Sequence, residues 1–150
     1  MPYTFGESSI KQLDTCHQDL QDIAYAVIQI TDVDFGISEG YRTVERQKEL
    51  YDQGKSKIDG VSQKGKHNYN PSLALDFYAY HPDPATREKL AYDKVHLTYI
   101  AGLFDAVSKQ MFQRRQISHI LRWGANWNMD GVIDFDQSFD DYPHIELYAP

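Results

Sequence analysis

The chain has 150 residues, of which 41% are hydrophobic and 25% are charged, and its formal net charge at pH 7 is −7. This length and composition indicate an ordinary globular protein, and we expect residues 1–150 to form one domain with its own hydrophobic core. The negative charge disfavours nucleic acid as a partner, and no apolar run approaches the roughly 20 residues of a membrane-spanning helix. The single cysteine, Cys16, excludes an internal disulfide and a multi-cysteine zinc site.

The first predicted element is a helix over residues 8–30, where apolar residues recur at helical spacing and Ser8 or Ser9 can serve as the N-cap. The apolar positions are Ile10, Leu13, Leu20, Ile23, Ala24 and Val27. No basic leader followed by an apolar segment precedes this helix, so the sequence shows no secretory signal. We therefore expect a protein that is made and kept in the cytoplasm.

A strand, a helix and a loop are predicted next. Residues 34–43 read as a short strand followed by a turn. Thr43 can cap a helix over residues 44–53, and Gly54 ends that helix. Residues 55–72 are polar and contain glycine, which predicts a long loop, and long loops inside compact domains are often functional.

The second half of the chain alternates strands with a long helical segment. We predict strands over residues 73–79, 117–124 and 143–149, a helical pattern over residues 85–114, and an acidic loop over residues 125–141. Long helices combined with short strands predict an α+β fold, with a small antiparallel sheet and flanking helices.

The strand at residues 73–79 is unusual because Asp76 interrupts its apolar sequence. An isolated buried carboxylate is costly, so Asp76 needs hydrogen-bond donors, a cation or a metal. His67 lies in the loop before this strand and His144 heads the last strand, and two imidazoles with one carboxylate can hold zinc while leaving a position for water. Asp141, three residues before His144, is placed to act as the base for such a water.

The same residues also have an ordinary interpretation, and spacing alone does not exclude it. In that interpretation Asp76 is a hydrogen-bonded residue at a strand end, and His144 is a partly exposed strand residue. The remaining histidines show no matching acidic partner in the sequence, and we expect them to be structural or solvated. They are His17, His81, His96 and His119.

A series of short motifs spans residues 39–147 in a characteristic order. The motifs are Gly40-Tyr41-Arg42, Gln47 with Leu50-Tyr51 and Gly54, His67, Ala74-Leu75-Asp76, Arg122-Trp123-Gly124 with Trp127 behind it, and Asp141-Tyr142-Pro143-His144. In this combination the chain resembles the LAS-type zinc peptidases, which include VanY-like D,D-carboxypeptidases, VanX-like dipeptidases and phage L-alanyl-D-glutamate endolysins.

The resemblance implies a LAS/hedgehog-type peptidase domain in which His67, Asp76 and His144 bind Zn²⁺ and Asp141 is the general base. It also implies that Arg42 holds the carbonyl oxygen that becomes negatively charged during hydrolysis. This chain departs from the family pattern in having Gly65 where a serine is usual, and a longer segment, residues 70–73, before the strand.

Three further features have more than one interpretation. Glu146 shares a strand face with His144, so it can be a partner of a ligand histidine or an exposed residue. Trp123 and Trp127 can line a substrate cleft or pack in the core. Four loop aspartates suggest calcium, but their spacing lacks the closing glutamate of an EF-hand and favours solvated charge. They are Asp130, Asp134, Asp136 and Asp140.

The resemblance favours a phage endolysin that cuts the L-alanyl-D-glutamate bond of the peptidoglycan stem, because Asp141 and the Asp-x-Pro-His motif are similar to that branch. Such an enzyme would act as a monomer and reach the cell wall from the host cytoplasm once a holin opens the membrane. The alternatives are a D-alanyl-D-alanine carboxypeptidase or dipeptidase, a metal-stabilised wall-binding module, and a metal-free globular domain.

Overall fold

A computed structural model describes residues 2–126, 129, 131 and 141–150. Within these residues the helices are α1 (Glu7–Leu13), α2 (Gln18–Ile30), α3 (Val44–Asp52), α4 (Pro84–Leu90) and α5 (Lys94–Gln113). The strands are β1 (Phe35–Glu39), β2 (Ala74–Ala79), β3 (Ile120–Trp123) and β4 (His144–Tyr148). The predicted α+β class is confirmed. In the described part of the chain, no helix has both the length and the apolar character needed to cross a membrane.

The four strands form one antiparallel sheet in the order β1-β2-β4-β3. Strands β2 and β4 are therefore neighbours at its centre, although 64 residues separate the end of one from the start of the other. Their register places Asp76 directly opposite His144 and Ala74 opposite Glu146. The pairing of these two strands therefore brings together side chains that are distant in sequence.

One face of the sheet belongs to the hydrophobic core. Leu75 and Phe77 of β2 and Ile145 and Leu147 of β4 are fully buried there, together with apolar residues of α2 and α5. Because strand side chains alternate between faces, Asp76 and His144 point to the opposite face. The alternation of side chains along β2 and β4 therefore places the core on one face of the sheet and a polar site on the other.

The two longest predicted helical segments are each divided in the structure. His17 begins α2 by accepting the N–H of Asp19 on its ring nitrogen Nδ1, at 3.0 Å. Asp93 likewise begins α5 by accepting the N–H of His96 at 3.0 Å. The prediction of continuous helices was wrong because apolar spacing persists across both breaks, and an N-cap interrupts a helix without interrupting its apolar stripe.

The predicted helix caps have mixed outcomes. Thr43 caps α3 by accepting the N–H of Arg46 at 3.1 Å, and Gly54 follows that helix with a φ of +75°, as predicted. The predicted serine cap of α1 was wrong, because Gly6 occupies the N-cap position. Ser9 is instead buried and accepts the N–H of Ile37 at 2.9 Å, which joins α1 to β1.

A second polar cluster joins the start of α2 to the segment before β3. The carboxylate of Asp19 accepts the N–H of Ser118 at 3.0 Å and lies 2.8 Å from Nδ1 of His119. Burial raises the pKa of Asp19, but these hydrogen bonds outweigh it and hold the pKa below its usual value. The expectation that the remaining histidines lack acidic partners was therefore wrong for His119, although its contacts within the fold are structural. It was also wrong for His96, whose Nδ1 lies 2.6 Å from Oδ2 of Asp93.

Candidate active site

Three side chains of the polar sheet face and the adjoining loop converge on one point. Nε2 of His67 lies 3.2 Å from Oδ1 of Asp76 and 3.2 Å from Nδ1 of His144. Nδ1 of His144 is also 3.2 Å from Oδ1 of Asp76, so the three atoms form an equilateral triangle. The predicted ligand set is thus brought together by the fold, and it is one of two described groups whose atoms could hold a metal ion.

His67 is oriented by a backbone contact with the end of β1. The residue lies in a 3₁₀ turn, Lys66–Asn68, and its side chain is buried. Its Nδ1 is 2.7 Å from the carbonyl oxygen of Gly40, which can only accept, so Nδ1 carries the proton and Nε2 presents a lone pair to the triangle. Gly40 has no room for a side chain, since a Cβ would lie 2.4 Å from Oγ1 of Thr15.

His144 is oriented by Glu146 on the same strand face. Nε2 of His144 donates to Oε1 of Glu146 at 2.9 Å, and Oε2 of Glu146 accepts from Arg122 at 2.7 Å. Burial raises the pKa of Glu146, but His144 and Arg122 outweigh it and keep the group a carboxylate. Of the two interpretations of Glu146, the partner of a ligand histidine is therefore the one that the geometry supports.

The triangle fits a tetrahedral metal ion. Ligand atoms about 2.0–2.1 Å from a tetrahedral zinc lie about 3.3 Å from one another, close to the distance observed between the three atoms here. The charges around the triangle also favour a cation. Burial lowers the pKa of His144, but the nearby Asp76 and Glu146 have a larger, opposite effect, and the pKa of His144 is raised to about 10. Groups that favour a proton at this place favour a metal cation there as well.

Asp141 lies beside the triangle without being part of it. Its Oδ2 is 4.0 Å from Nδ1 of His144, and a third of its side chain is exposed. Burial raises the pKa of Asp141, partly offset by the nearby His144. The carboxylate is thus close enough to contact a water bound at the triangle, which is the position that a general base requires.

Arg42 occupies the other side of Asp76. Its Nε donates to Glu39, its Nη1 donates to Gln47 at 2.9 Å, and its Nη2 lies 3.6 Å from Oδ2 of Asp76. Only 11% of the side chain is exposed, so Arg42 is not the surface arginine that its position in a turn could also have suggested. The guanidinium is held at the edge of the triangle by two neighbouring residues.

The comparisons with known proteins agree with this geometry. Residues 1–148 match the sequence profile of the phage L-alanyl-D-glutamate peptidases. The chain belongs to this family. It is 30% identical over 150 residues to the L-alanyl-D-glutamate peptidase of Escherichia phage T5, with 98% of this chain and 99% of the phage T5 protein covered. The predicted family and its L-alanyl-D-glutamate endopeptidase activity are confirmed.

Two bacterial proteins are also similar to this phage-type peptidase. The peptidoglycan L-alanyl-D-glutamate endopeptidase CwlK of Bacillus subtilis is 28% identical, and the match covers 77% of this chain and 61% of CwlK. The crystal structure of the Serratia marcescens L-Ala D-Glu endopeptidase ChiX superposes with a TM-score of 0.72 at 22% identity, covering 97% of this chain and 90% of ChiX. The likeness to ChiX confirms the fold.

Gln47 is a site residue to which the sequence motif gave no role. It is 2% exposed, and its Oε1 accepts from Arg42 while its Nε2 donates to Oγ of Ser56 and to the carbonyl of Ile58, both at 2.7 Å. It thus connects Arg42 to the long loop. A signal was present, since a polar residue on the inward face of a helix needs buried partners.

The triangle lies in a cleft of about 550 Å³, between the polar sheet face and the loop at residues 55–66. Trp123 does not line this cleft. It packs against the core, and its Nε1 donates to the carbonyl of Tyr142 at 2.7 Å, which supports the segment that carries Asp141. Trp127 and the four loop aspartates lie outside the described residues. Cys16 is buried, and burial raises the pKa of its thiol to about 12, which disfavours a role as a nucleophile.

Loss of the Glu146 carboxylate is expected to weaken metal binding. Glu146→Ala removes the acceptor that orients His144, and partners of this kind typically contribute about 10- to 100-fold to metal affinity. Competition with a chromophoric chelator would measure this change. Glu146→Gln keeps an acceptor and should lose less, and Glu88→Ala, on exposed α4, should lose nothing. Equal affinity in Glu146→Ala and wild type would contradict the orienting role.

Gly124 is expected to determine the position of Asp141. Its carbonyl accepts the N–H of Asp141 at 2.9 Å, and a Cβ on Gly124 would lie 2.0 Å from the Asp141 carbonyl oxygen. Gly124→Ala must therefore displace Asp141, and a displacement of about 1 Å can lower a rate about 100-fold. We expect kcat to fall by about this factor in steady-state assays.

The matched control for this prediction is Gly102→Ala on α5, where an added Cβ would meet nothing within 4 Å. Gly102→Ala should leave kcat unchanged and stabilise the helix slightly. A Gly124→Ala enzyme with wild-type kcat would show that Asp141 tolerates displacement.

Proposed function

We propose that this chain is a zinc-dependent endopeptidase that hydrolyses the amide bond between L-alanine and D-glutamate in the peptide stem of peptidoglycan, and that it thereby lyses the bacterial cell wall. The observation that carries the proposal is the arrangement of the cleft floor. Two imidazole lone pairs and one carboxylate oxygen, 3.2 Å apart, face the same point, and the carboxylate of Asp141 lies 4.0 Å from one of the imidazoles.

His67, Asp76 and His144 would hold the metal. Two imidazoles and one carboxylate are a common ligand set of catalytic zinc, whereas structural zinc sites are closed by four protein ligands. When bound, the ion supplies a Lewis acid for the scissile carbonyl and lowers the pKa of a coordinated water towards neutrality. The three-ligand set therefore favours an enzyme over a metal-stabilised binding module.

Asp141 would move the proton. Its carboxylate accepts a proton from the attacking water and then donates that proton to the nitrogen of D-glutamate as the amide bond breaks. The raised pKa of Asp141, caused mainly by burial, suits both steps because it brings the group closer to neutral pH. Its partial exposure towards the cleft allows it to reach both the water and the leaving amine.

Arg42 would stabilise the carbonyl oxygen of L-alanine as negative charge develops on it. Glu39 and Gln47 fix the guanidinium, so it needs no reorganisation at the moment of reaction. Its position beside Asp76 places a positive charge at the edge of the triangle. Arg42 and Asp141 thus act on the two charges that amide hydrolysis creates, on the oxygen and on the nitrogen.

The cellular setting is also part of this proposal, and family membership supports it. The protein would accumulate as a monomer in the cytoplasm of the infected host and meet peptidoglycan after a holin opens the membrane. The substrate side of this proposal rests on the activity in the family's name, and the chain's net charge of −7 gives no reason to add a nucleic acid partner.

Digestion of purified peptidoglycan, followed by mass spectrometry of the fragments, tests this function. The zinc-loaded protein should release fragments with a new N-terminal D-glutamate, and a chelated sample should release none. Release of free D-alanine would instead indicate carboxypeptidase activity. If a zinc-loaded sample released neither product, the wall-hydrolase proposal would be wrong and a binding module would take its place.

A further inference from the structure

One wall of the cleft is basic, in contrast to the rest of the chain. Residues 55–66 contain four lysines, which we call the basic wall, and all four line the cleft: Lys55, Lys57, Lys64 and Lys66. The same segment contains one acidic residue, Asp59, although the whole chain has a net charge of −7. A local excess of positive charge in a cleft concentrates anionic ligands there, and it does so even on an acidic protein.

The loop that carries the basic wall is held in place by its own contacts. The carboxylate of Asp59 accepts the N–H groups of Val61, Ser62 and Gln63 at 2.8–3.2 Å, so it is used within the loop. Gln47 anchors one end of the loop, and at the other end Oδ1 of Asn68 accepts the N–H of Gly65 at 2.9 Å. The lysines are therefore presented by an organised segment.

The cations nearest the triangle already face carboxylates of the protein. Arg42 contacts Glu39 and Asp76, and Arg122 contacts Glu146. Among the residues that the structure describes, Lys55, Lys64 and Lys66 form no ion pair. Lys64 lies over the ring of Tyr69 at 4.2 Å, and Lys66, half-buried, directly precedes the ligand His67. Lys55, Lys64 and Lys66 thus supply positive charge to the basic wall that no ion pair with a described carboxylate neutralises.

The substrate of the proposed reaction offers a matching anion, and the inference rests on that proposed function. A glutamyl residue has two carboxyl groups, and only one of them can continue the peptide stem. The other stays a free carboxylate next to the bond that is cut, on the side of the leaving amine, whereas L-alanine carries no charged side chain. We propose that the basic wall binds this carboxylate and makes the enzyme selective for stems in which it is free.

Two synthetic peptides and two triple variants test the proposal. The peptides are L-alanyl-γ-D-glutamyl-L-lysine and its analogue in which the free glutamyl carboxylate is a carboxamide. The wall variant combines Lys55→Met, Lys64→Met and Lys66→Met. The control variant combines Lys48→Met, Lys89→Met and Lys109→Met, which are exposed helix residues outside the cleft, so both variants lose three positive charges. Circular dichroism would check that both are folded.

We expect the zinc-loaded wild type to cleave the carboxylate peptide with a kcat/KM about tenfold above that of the carboxamide, as for a charge-assisted hydrogen bond. In the wall variant this ratio should fall to about one, mainly through a higher KM for the carboxylate peptide, and in the control variant it should persist. Added salt should lower the ratio in the wild type and in the control variant, which both keep the basic wall, but not in the wall variant.

The outcomes separate this proposal from the one on which it rests. The wild type could cleave both peptides equally, or the wall variant could keep the wild-type ratio of kcat/KM. Either result would show that the basic wall does not recognise the free carboxylate, and it would overturn only this inference. If the wild type cleaves neither peptide, the proposed function itself is wrong, and the selectivity inferred from it is wrong with it.

Discussion

Asp141→Asn is expected to lower kcat for the L-alanyl-D-glutamate bond by about 100- to 10,000-fold, the range that positioned general bases contribute. The carboxamide has nearly the same shape as the carboxylate but cannot accept the proton of the attacking water. Asp141 lies beside the triangle of His67, Asp76 and His144, 4.0 Å from Nδ1 of His144, and is not one of its corners. The variant should therefore keep wild-type metal affinity, and KM should change little.

The measurement combines steady-state kinetics with metal analysis of the purified protein. Asp105→Asn, on the exposed side of α5 where Asp105 pairs with Lys109, is the matched control and should behave like wild type. If Asp141→Asn kept kcat within about tenfold of wild type, another group would have to be the base. If it lost its metal, Asp141 would be a ligand.

The second large effect is expected for loss of the metal. Chelation should abolish hydrolysis and added zinc should restore it, because the water that attacks the amide depends on the ion. His67→Ala removes one corner of the triangle and should lose activity by at least about 1,000-fold, and excess zinc should not restore it.

Thermal unfolding gives a readout for this second effect that does not depend on catalysis. A ligand at 100 times its Kd stabilises the folded state by about 2.7 kcal/mol, which for a chain of this size raises Tm by about 5 °C or more. Zinc should produce this shift in the wild type and in His96→Ala, a histidine outside the cleft, but not in His67→Ala. The same shift in all three proteins would place the binding site elsewhere, and the group of His17, Asp19 and His119 would then be examined.

Local sequence signals predicted many of the elements. The Thr43 cap and Gly54 bounded α3, and the short apolar run around Asp76 located β2, because each signal acts through neighbours within one turn or along one strand. The breaks before α2 and α5 were missed. Each depends on a short side-chain cap, and apolar periodicity, which reports only the buried face, continues across it.

The candidate active site was likewise predicted only in part from the sequence. The residue types and order of His67, Asp76, Asp141 and His144, with the motif resemblance, determined the family, the activity and the expected ligands. The sequence did not determine how the two imidazole rings are oriented, because it does not show which ring nitrogen carries the proton. The carbonyl of Gly40 and the carboxylate of Glu146 decide this, and they reach the imidazoles only in the folded chain.

By itself, the sequence determined the α+β class through local periodicity, and it indicated a peptidase with a carboxylate and two imidazoles available for a metal through the resemblance of its ordered motifs to a known family. Only the tertiary structure decided that β2 and β4 are neighbours, that Gly124 packs against Asp141, and that the lysines of residues 55–66 face the site. Distances between residues far apart in the chain depend on strand register and on close backbone packing. Both result from burying the whole core at once and not from any single segment.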